Sequence, residues 1–289
     1  MEISQDLKNK VLKSQKNEIT EHLIYEKLSL IALGNNQNIL KKISDEEMNH
    51  YKFFKKFTLQ DVHPDSFKVG FYYFISKFLG LNFSLRLMEK GEVFAQEFYN
   101  ELVKINPNVK KIIKDEKKHE EELLNLLDKK ELAYTSSIIL GLNDALVELT
   151  GALAGFTLAL KNNTIVAVAG LITGIAASLS MAASEYLSAK EEEGAKNPLK
   201  SSIYTGITYL IVVLLLILPY FILKNSLISL AATLLIAVFI ILIFNFYISV
   251  AKNLSFKKRF FEMVSISMGV AALSFLIGLL ARNLINIKI

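Results

Sequence analysis

The sequence of 289 residues contains no cysteine. This absence excludes disulfides, thiolate metal sites, iron–sulfur clusters and cysteine nucleophiles. Histidine is scarce as well, with four residues in the whole chain. No apolar stretch near the N-terminus has the flanks of a secretory signal peptide, so we expect the N-terminal part to stay in the cytoplasm.

Composition changes sharply along the chain. The first 130 residues are rich in Lys, Glu and Asp, whereas the rest is mostly apolar, and the hydrophobic fraction overall is 52%. The step predicts two domains, 1–130 and 131–289, with a boundary near Glu131. The net charge of +5 does not indicate nucleic acid as a partner, because many of the cations flank apolar segments, where membrane topology explains them.

The second half contains five apolar segments of membrane-spanning length. A spanning helix needs about 20 apolar residues, and four of the segments carry no charge over such a stretch. The predicted spans are 136–160, 164–188, 201–223, 226–250 and 261–283. The lipid bilayer is therefore an expected partner of this half.

Positive charges are biased toward two of the connections between spans. The loop after span two carries Lys190, Lys196 and Lys200, and the loop after span four carries Lys252, Lys257, Lys258 and Arg259. The positive-inside rule assigns these loops to the cytoplasm. We expect a cell-membrane protein with a cytoplasmic N-terminal domain and, since five is odd, a C-terminus outside.

Small residues crowd spans one and two, whereas spans three and four are bulky. Small residues allow helices to approach closely, so we expect spans one and two to line the interior and spans three and four to lie at the periphery. Two small-faced helices do not enclose a pathway alone. We therefore expect a homodimer that shares spans one and two.

Carboxylates inside the first two spans are the informative charges. Asp144 and Glu148 lie four residues apart on one face of span one, and Met181 and Glu185 have the same spacing on span two. A carboxylate at the membrane centre costs about 3 kcal/mol on insertion scales. A cation that passes along the helices would neutralise these carboxylates. The alternative is that the carboxylates lie near the membrane ends and are hydrated by water. That explanation suits Asp144 least, because it lies about nine residues into its span.

The first half predicts four helices, over 4–33, 37–60, 67–105 and 108–130. The predicted fold class is all-α: a four-helix bundle followed by a five-helix transmembrane domain. Within the third helix, residues 69–85 are strongly apolar and aromatic but too short and interrupted for a span. We interpret this stretch as a helix at the membrane interface or one buried against the bundle.

Two sequence patterns occur twice in the first half. Glu18 precedes Tyr25 by seven residues, and Glu92 precedes Tyr99 by the same distance. A Glu-x-x-His motif follows each pair, as Glu47 to His50 and then Glu116 to His119. The order indicates an internal duplication of a helix pair.

Glu and His at positions i and i+3 share one helix face. Two such helices, with a Glu from each of two others, make a carboxylate-bridged dinuclear site that suits iron or manganese, with zinc a further candidate. The predicted ligands are Glu18, Glu47, His50, Glu89, Glu92, Glu116 and His119, with Tyr25 and Tyr99 as donors to the carboxylates. The spare acids are interpreted as a solvated face (Glu21, Glu26, Glu46, Glu120, Glu121 and Glu122), and His22 and His63 as surface or packing residues.

The first half, with this motif order, resembles the rubrerythrin branch of the ferritin-like superfamily. The resemblance implies a di-iron centre that cycles between Fe2+ and Fe3+. Mn2+ is the alternative metal. The second half resembles the vacuolar iron transporter family in the stretches 141–155 and 180–188. That resemblance implies that Asp144 and Met181 lie on the metal pathway. Fusions of the two resemble the membrane-bound ferritin proteins of prokaryotes.

Together these features predict a transporter that exports Fe2+ or Mn2+ from the cytoplasm, with a bundle that binds, senses or oxidises the metal. The alternative is a membrane-anchored ferroxidase or peroxide-scavenging enzyme, and a metal-stabilised membrane scaffold is a third. Full rubrerythrins also carry a cysteine-ligated iron centre, which this chain cannot form.

Overall fold

The computed structural model describes residues 5–89, 102–103, 106–126, 134–160, 162–191 and 197–285. Every regular element among them is helical. The chain forms two compact units, Met1–Asp128 and Lys129–Ile289. The predicted all-α class is confirmed, and each unit is described separately below.

The first unit begins with a helical hairpin. Helix α1 spans Gln5–Ile31 and helix α2 spans Asn35–Thr58. Gly34 joins them at φ 62°, a left-handed conformation that glycine adopts without a steric penalty. So short a connection makes the two helices antiparallel neighbours, and their apolar faces share a core that includes Leu28 and Leu40.

Two short helices follow where the sequence predicted one long one. Helix α3 spans Ser66–Leu79 and helix α4 spans Leu81–Glu89. The prediction of one continuous helix over 67–105 is wrong here, because Gly80 takes φ 90° and ψ 155° and ends α3. The Ser84 hydroxyl then donates to the Tyr72 carbonyl at 3.1 Å, which ties the start of α4 back onto α3.

Helix α5 spans Val109–Leu126 and completes the described part of this unit. Its residues Val109 and Ile112 form a second apolar cluster with Val11 of α1, Phe54 of α2 and Leu102. Helices α1, α2 and α5 therefore pack around a common interior. The rest of the predicted third helix beyond Glu89, apart from Leu102 and Val103, lies outside the described residues.

The second unit consists of five long helices. They are α6 (Thr135–Leu160), α7 (Asn163–Glu191), α8 (Pro198–Ile222), α9 (Ser226–Ala251) and α10 (Phe256–Ile285). Each is long and apolar enough to cross a membrane. The prediction of five such helices in the C-terminal half is confirmed.

Close approaches at glycine organise this unit. A Cβ on Gly278 of α10 would lie 2.4 Å from the Gly155 carbonyl oxygen of α6, so the two backbones are in direct contact. On α7, a Cβ on Gly174 would lie 2.5 Å from Val213 of α8. Small residues therefore bring α6 against α10 and α7 against α8.

The expectation that span three lies at the periphery is wrong. Helix α8 supplies both tyrosines of the unit's buried core, Tyr209 and Tyr220, together with Val213. The small residues of α7 explain this position, since they provide the space that the bulky face of α8 fills. Much of the surface of α7 itself is exposed.

Candidate metal centre

The first unit buries a cluster of carboxylates and imidazoles between three helices. Glu18 comes from α1, Glu47 and His50 from α2, and Glu116 from α5; one ligand atom from each lies within 4.8 Å of all the others. Glu18, Glu47 and His50 are almost completely buried. Buried charges require partners, so this concentration of carboxylates marks a site for positive charge.

His50 lies at the centre of the cluster. Its Nδ1 atom is 3.1 Å from Glu116 Oε1, 3.2 Å from Glu47 Oε2 and 3.4 Å from Glu18 Oε2. Two ligands bound about 2.1 Å from one metal lie roughly 3.0–3.4 Å apart at angles of 90–110°. The donor set and its spacing therefore fit a divalent metal.

Glu47 extends the cluster toward a second imidazole. Its other oxygen, Oε1, lies 3.1 Å from His119 Nδ1, while Oε2 contacts His50. The centroids of the two rings are 5.8 Å apart. One carboxylate thus presents one oxygen to each histidine and links the Glu-x-x-His motifs of α2 and α5.

A further carboxylate contacts the outer nitrogen of each histidine. Glu46 Oε2 lies 2.6 Å from His119 Nε2, and Asp115 Oδ2 lies 3.5 Å from His50 Nε2. Such carboxylates fix the tautomer and orientation of a ligating imidazole and raise its basicity. The interpretation of Glu46 as part of a solvated face is wrong.

These two contacts cross between the helices. Glu46 immediately precedes the motif of α2 but contacts the histidine of α5, and Asp115 immediately precedes the motif of α5 but contacts the histidine of α2. A signal for them existed in the sequence, because both motifs read acid-Glu-x-x-His. The spacing alone does not reveal the contacts, because each acid reaches the histidine of the other helix.

The carboxylates of the cluster differ in their affinity for protons. Burial raises the pKa of Glu18 well above its usual range, and the nearby charges of Glu47 and Glu116 add to the effect. Burial and the charge of Glu47 also raise the pKa of Glu116. Burial opposes ionisation of Glu47 too, but hydrogen bonds from His119 and His50 outweigh it and lower its pKa to about 2.

Both imidazoles hold their protons more tightly than usual. Burial disfavours the charged form of His119, but hydrogen bonding to Glu47 outweighs it and raises the pKa to about 9. Hydrogen bonds to Glu116, Glu18 and Glu47 likewise overcome burial and raise the pKa of His50 well above its ordinary value. Protonated imidazoles can therefore balance the carboxylates, and a metal cation must displace those protons to bind.

The structure describes the other predicted residues of this unit to different extents. Tyr25 is buried on α1, two helical turns after Glu18 on the same face. Glu89 is the last residue of α4, and only its backbone is described. Glu92 and Tyr99 lie outside the described residues. His22 is buried, with Nδ1 2.7 Å from the Ser44 carbonyl oxygen, which fits its interpretation as a packing residue.

In the second unit, the predicted pathway residues lie on α6 and α7. Asp144 and Glu148 are the tenth and fourteenth residues of α6, which places them roughly 14 and 20 Å along its axis. The Tyr209 hydroxyl of α8 donates to Glu148 Oε2 at 2.8 Å. The sequence does not predict this contact, because Tyr209 and Glu148 lie on different helices and no spacing along the chain connects them.

Glu185 and Met181 occupy different levels of α7. The Ser137 hydroxyl, from the first turn of α6, donates to Glu185 Oε1 at 2.5 Å, so Glu185 lies near the end of the spans rather than their middle. Met181, one turn earlier, is half-buried and packs against the core of the unit. The two carboxylates deep in the span are thus Asp144 and Glu148.

The five apolar helices indicate a multi-pass membrane protein whose first unit carries a buried Glu/His cluster able to hold a metal ion. Residues 135–195 match the VIT family, a stretch that begins at the first residue of α6 and ends in the connection after α7. No curated protein matches the chain. The match covers about a fifth of the 289 residues and includes all four predicted pathway positions. The ferritin-like resemblance of the first half stays a prediction.

Proposed function

We propose that this protein is a transporter that exports Fe2+ or Mn2+ from the cytoplasm. The observation that carries the proposal is the VIT-family match over α6 and α7, which contain the intramembrane carboxylates. A membrane domain of this family suggests a metal-ion transporter. The nature of the metal follows from the oxygen-rich ligands of the chain, which suit Fe2+ and Mn2+.

The cation pathway follows α6. Asp144 and Glu148 present carboxylates one turn apart on the same face, deep inside a helix that has no lysine or arginine among its residues. Each carboxylate costs about 3 kcal/mol to insert, and a passing cation offsets that cost. Met181 contributes a thioether, as the resemblance to the vacuolar iron transporter family implies. Glu185 adds a carboxylate one turn later on α7.

A homodimer completes the pathway. Glu148 is exposed on the surface of the unit although it lies in the middle of α6, and α7 exposes much of its small-residue surface. A charged group at this depth is unfavourable against lipid. A second copy packed on α6 and α7 would cover both and enclose the carboxylates between the two chains.

The direction of transport follows from the orientation of the chain. The positive residues at the end of α9 and the start of α10 stay on the cytoplasmic side, and an even number of spans separates them from the first unit. The first unit is then cytoplasmic and binds metal on the side from which it is exported. The C-terminus lies outside the cell membrane.

The first unit is proposed to be a ferritin-like di-iron domain. Glu18, Glu47, His50, Glu116 and His119 would hold the two metals, and Glu89 and Glu92 would complete the set. Bound iron would supply the capacity to move between Fe2+ and Fe3+. The protein itself positions the imidazoles through Glu46 and Asp115 and releases protons from them as metal binds.

A second candidate is a membrane-anchored ferroxidase or peroxide-scavenging enzyme. The buried Glu/His cluster favours it, since that cluster alone would provide the redox site. An anchor, however, requires neither five spans nor two carboxylates in the middle of α6. This candidate predicts Fe2+-dependent oxygen or peroxide consumption with no movement of metal across the membrane.

The decisive measurement is metal flux into proteoliposomes that contain a dye quenched by Fe2+. The wild-type chain should give flux that Asp144→Asn abolishes, because the amide cannot supply the negative charge. The matched control is Glu262→Gln on α10, an exposed carboxylate outside the proposed pathway, which should transport normally. Absence of flux with Fe2+, Mn2+ and Co2+, together with oxygen consumption, would favour the anchored enzyme.

A further inference from the structure

Helix α3 presents four phenylalanines on one face. Phe67, Phe71, Phe74 and Phe78 recur at intervals of four, three and four residues, which confines them to an arc of about 60° at 3.6 residues per turn. Their exposed fractions are 81%, 43%, 59% and 66%. We name these four residues the Phe stripe.

The rings of the Phe stripe associate with each other. The ring centroids of Phe67 and Phe71 are 6.1 Å apart, and those of Phe74 and Phe78 are 4.3 Å apart. The stripe thus consists of two pairs of rings that follow one another along α3. An exposed surface of this kind marks an interaction site rather than scattered surface residues.

The opposite face of α3 attaches the helix to its unit. Val69 and Ser76 are buried and lie about 180° around the helix from the Phe stripe. Val69 belongs to the core shared with α1 and α2. The stripe is therefore a second apolar face, which packing among the described residues of the unit does not cover.

Lysines flank the stripe on both sides. Lys68 and Lys77 are exposed, and each lies about 90° around the helix from the centre of the stripe, in opposite directions. A helix that lies in the plane of a membrane has this distribution, with aromatic residues toward the acyl chains and basic residues at the level of the headgroups. Long lysine stems extend readily from an apolar boundary to water.

The chain itself supplies the bilayer. Helix α5 ends at Leu126 and the first candidate span begins at Thr135, so the eight residues 127–134 connect them. Eight residues reach at most about 30 Å when fully extended. A lipid interface is therefore a partner within reach of the first unit.

We propose that α3 lies in the bilayer interface and anchors the first unit to the membrane surface. The Phe stripe enters the boundary between headgroups and acyl chains, typically about 5–10 Å deep for such helices. Lys68 and Lys77 contact anionic headgroups, to which basic residues near a membrane are attracted. This anchor does not depend on the proposed transport function.

The absence of tryptophan from the chain provides the test. Phe74→Trp introduces a single indole into the full-length protein, reconstituted in liposomes of phosphatidylcholine and phosphatidylglycerol. Lipids brominated at shallow acyl positions should quench its fluorescence strongly, and aqueous iodide should quench it weakly. Lys52→Trp, at an exposed position on α2, is the control and should show the reverse pattern.

Two results would overturn the anchor. Strong iodide quenching of Phe74→Trp would mean that the stripe lies in water. Protection from both quenchers would mean that protein, such as a second copy of the chain, covers it. For the lysines, Lys68→Glu with Lys77→Glu in the Phe74→Trp protein should reduce quenching by brominated lipid in anionic liposomes, and unchanged quenching would remove them from the contact.

Discussion

At the residue scale, Glu47 connects the two halves of the cluster. Its two oxygens contact the Nδ1 atoms of His50 and His119, each within 3.2 Å. Removing one partner from a buried ionic network leaves uncompensated charge, so such a residue affects every group around it. Glu46 has a lesser role, since among the described residues its contact with the cluster is to the outer nitrogen of His119.

We expect Glu47→Gln to abolish tight binding of Fe2+ or Mn2+ to the first unit, because the neutral amide no longer supplies the negative charge that lies between His50 and His119. Glu46→Gln should weaken binding by about 10- to 100-fold, the usual cost of losing a carboxylate behind a ligating histidine. Isothermal titration of the full-length protein measures both. Glu121→Gln, an exposed carboxylate of α5, is the control. Equal affinities for Glu47→Gln and the control would contradict the assignment.

The residues of the cluster were partly predictable. Spacing within a helix identifies which Glu and His share a face, and Glu18, Glu47, His50 and Glu116 indeed lie together. The contacts of Glu46 and Asp115 depend on how α2 and α5 face each other, which no spacing within one helix encodes. The same reason hides the bond from Tyr209 to Glu148.

At the element scale, glycines decide both the breaks and the contacts. Gly80 divides the predicted third helix, because its backbone φ angle of 90° is one that residues with a Cβ atom rarely adopt. Sequence alone does not distinguish this glycine from one tolerated inside a helix. In the second unit, small residues predicted close packing correctly, but their partners across α6, α7, α8 and α10 emerged only from the structure.

Gly278→Ala is expected to destabilise the second unit by about 1–3 kcal/mol, the usual cost of overpacking. The added methyl group would lie 2.4 Å from a backbone oxygen of Gly155, which cannot move aside as a flexible side chain can. Thermal unfolding in detergent measures the change. Gly269→Ala on the same helix is the matched control, because nothing lies within 4 Å of its Cβ position. Equal loss in both variants would point to helix backbone effects instead of contact between α6 and α10.

At the scale of the whole molecule, length and hydropathy sufficed to find all five candidate spans, since a spanning helix is defined by its own residues. The packing of these spans was harder to predict from the sequence, as the buried position of α8 demonstrates. Orientation depends on another global property, the distribution of lysine and arginine among the loops. The direction of metal transport proposed above depends on that orientation.

The orientation can be measured by labelling single cysteines, because the chain has none of its own. A membrane-impermeant maleimide added to intact cells should label Lys224→Cys, in the connection between α8 and α9. Lys258→Cys at the start of α10 and Lys52→Cys in the first unit should react only after permeabilisation. Four spans separate Lys52 from Lys258, so both must face the same side.

If both reacted in intact cells, the first unit would lie outside, and the proposed direction of export would be reversed. If they reacted on opposite sides, the chain would cross the membrane once more or once less than proposed. The 14 residues of α3 are too few for such an extra crossing, since a spanning helix needs about 20.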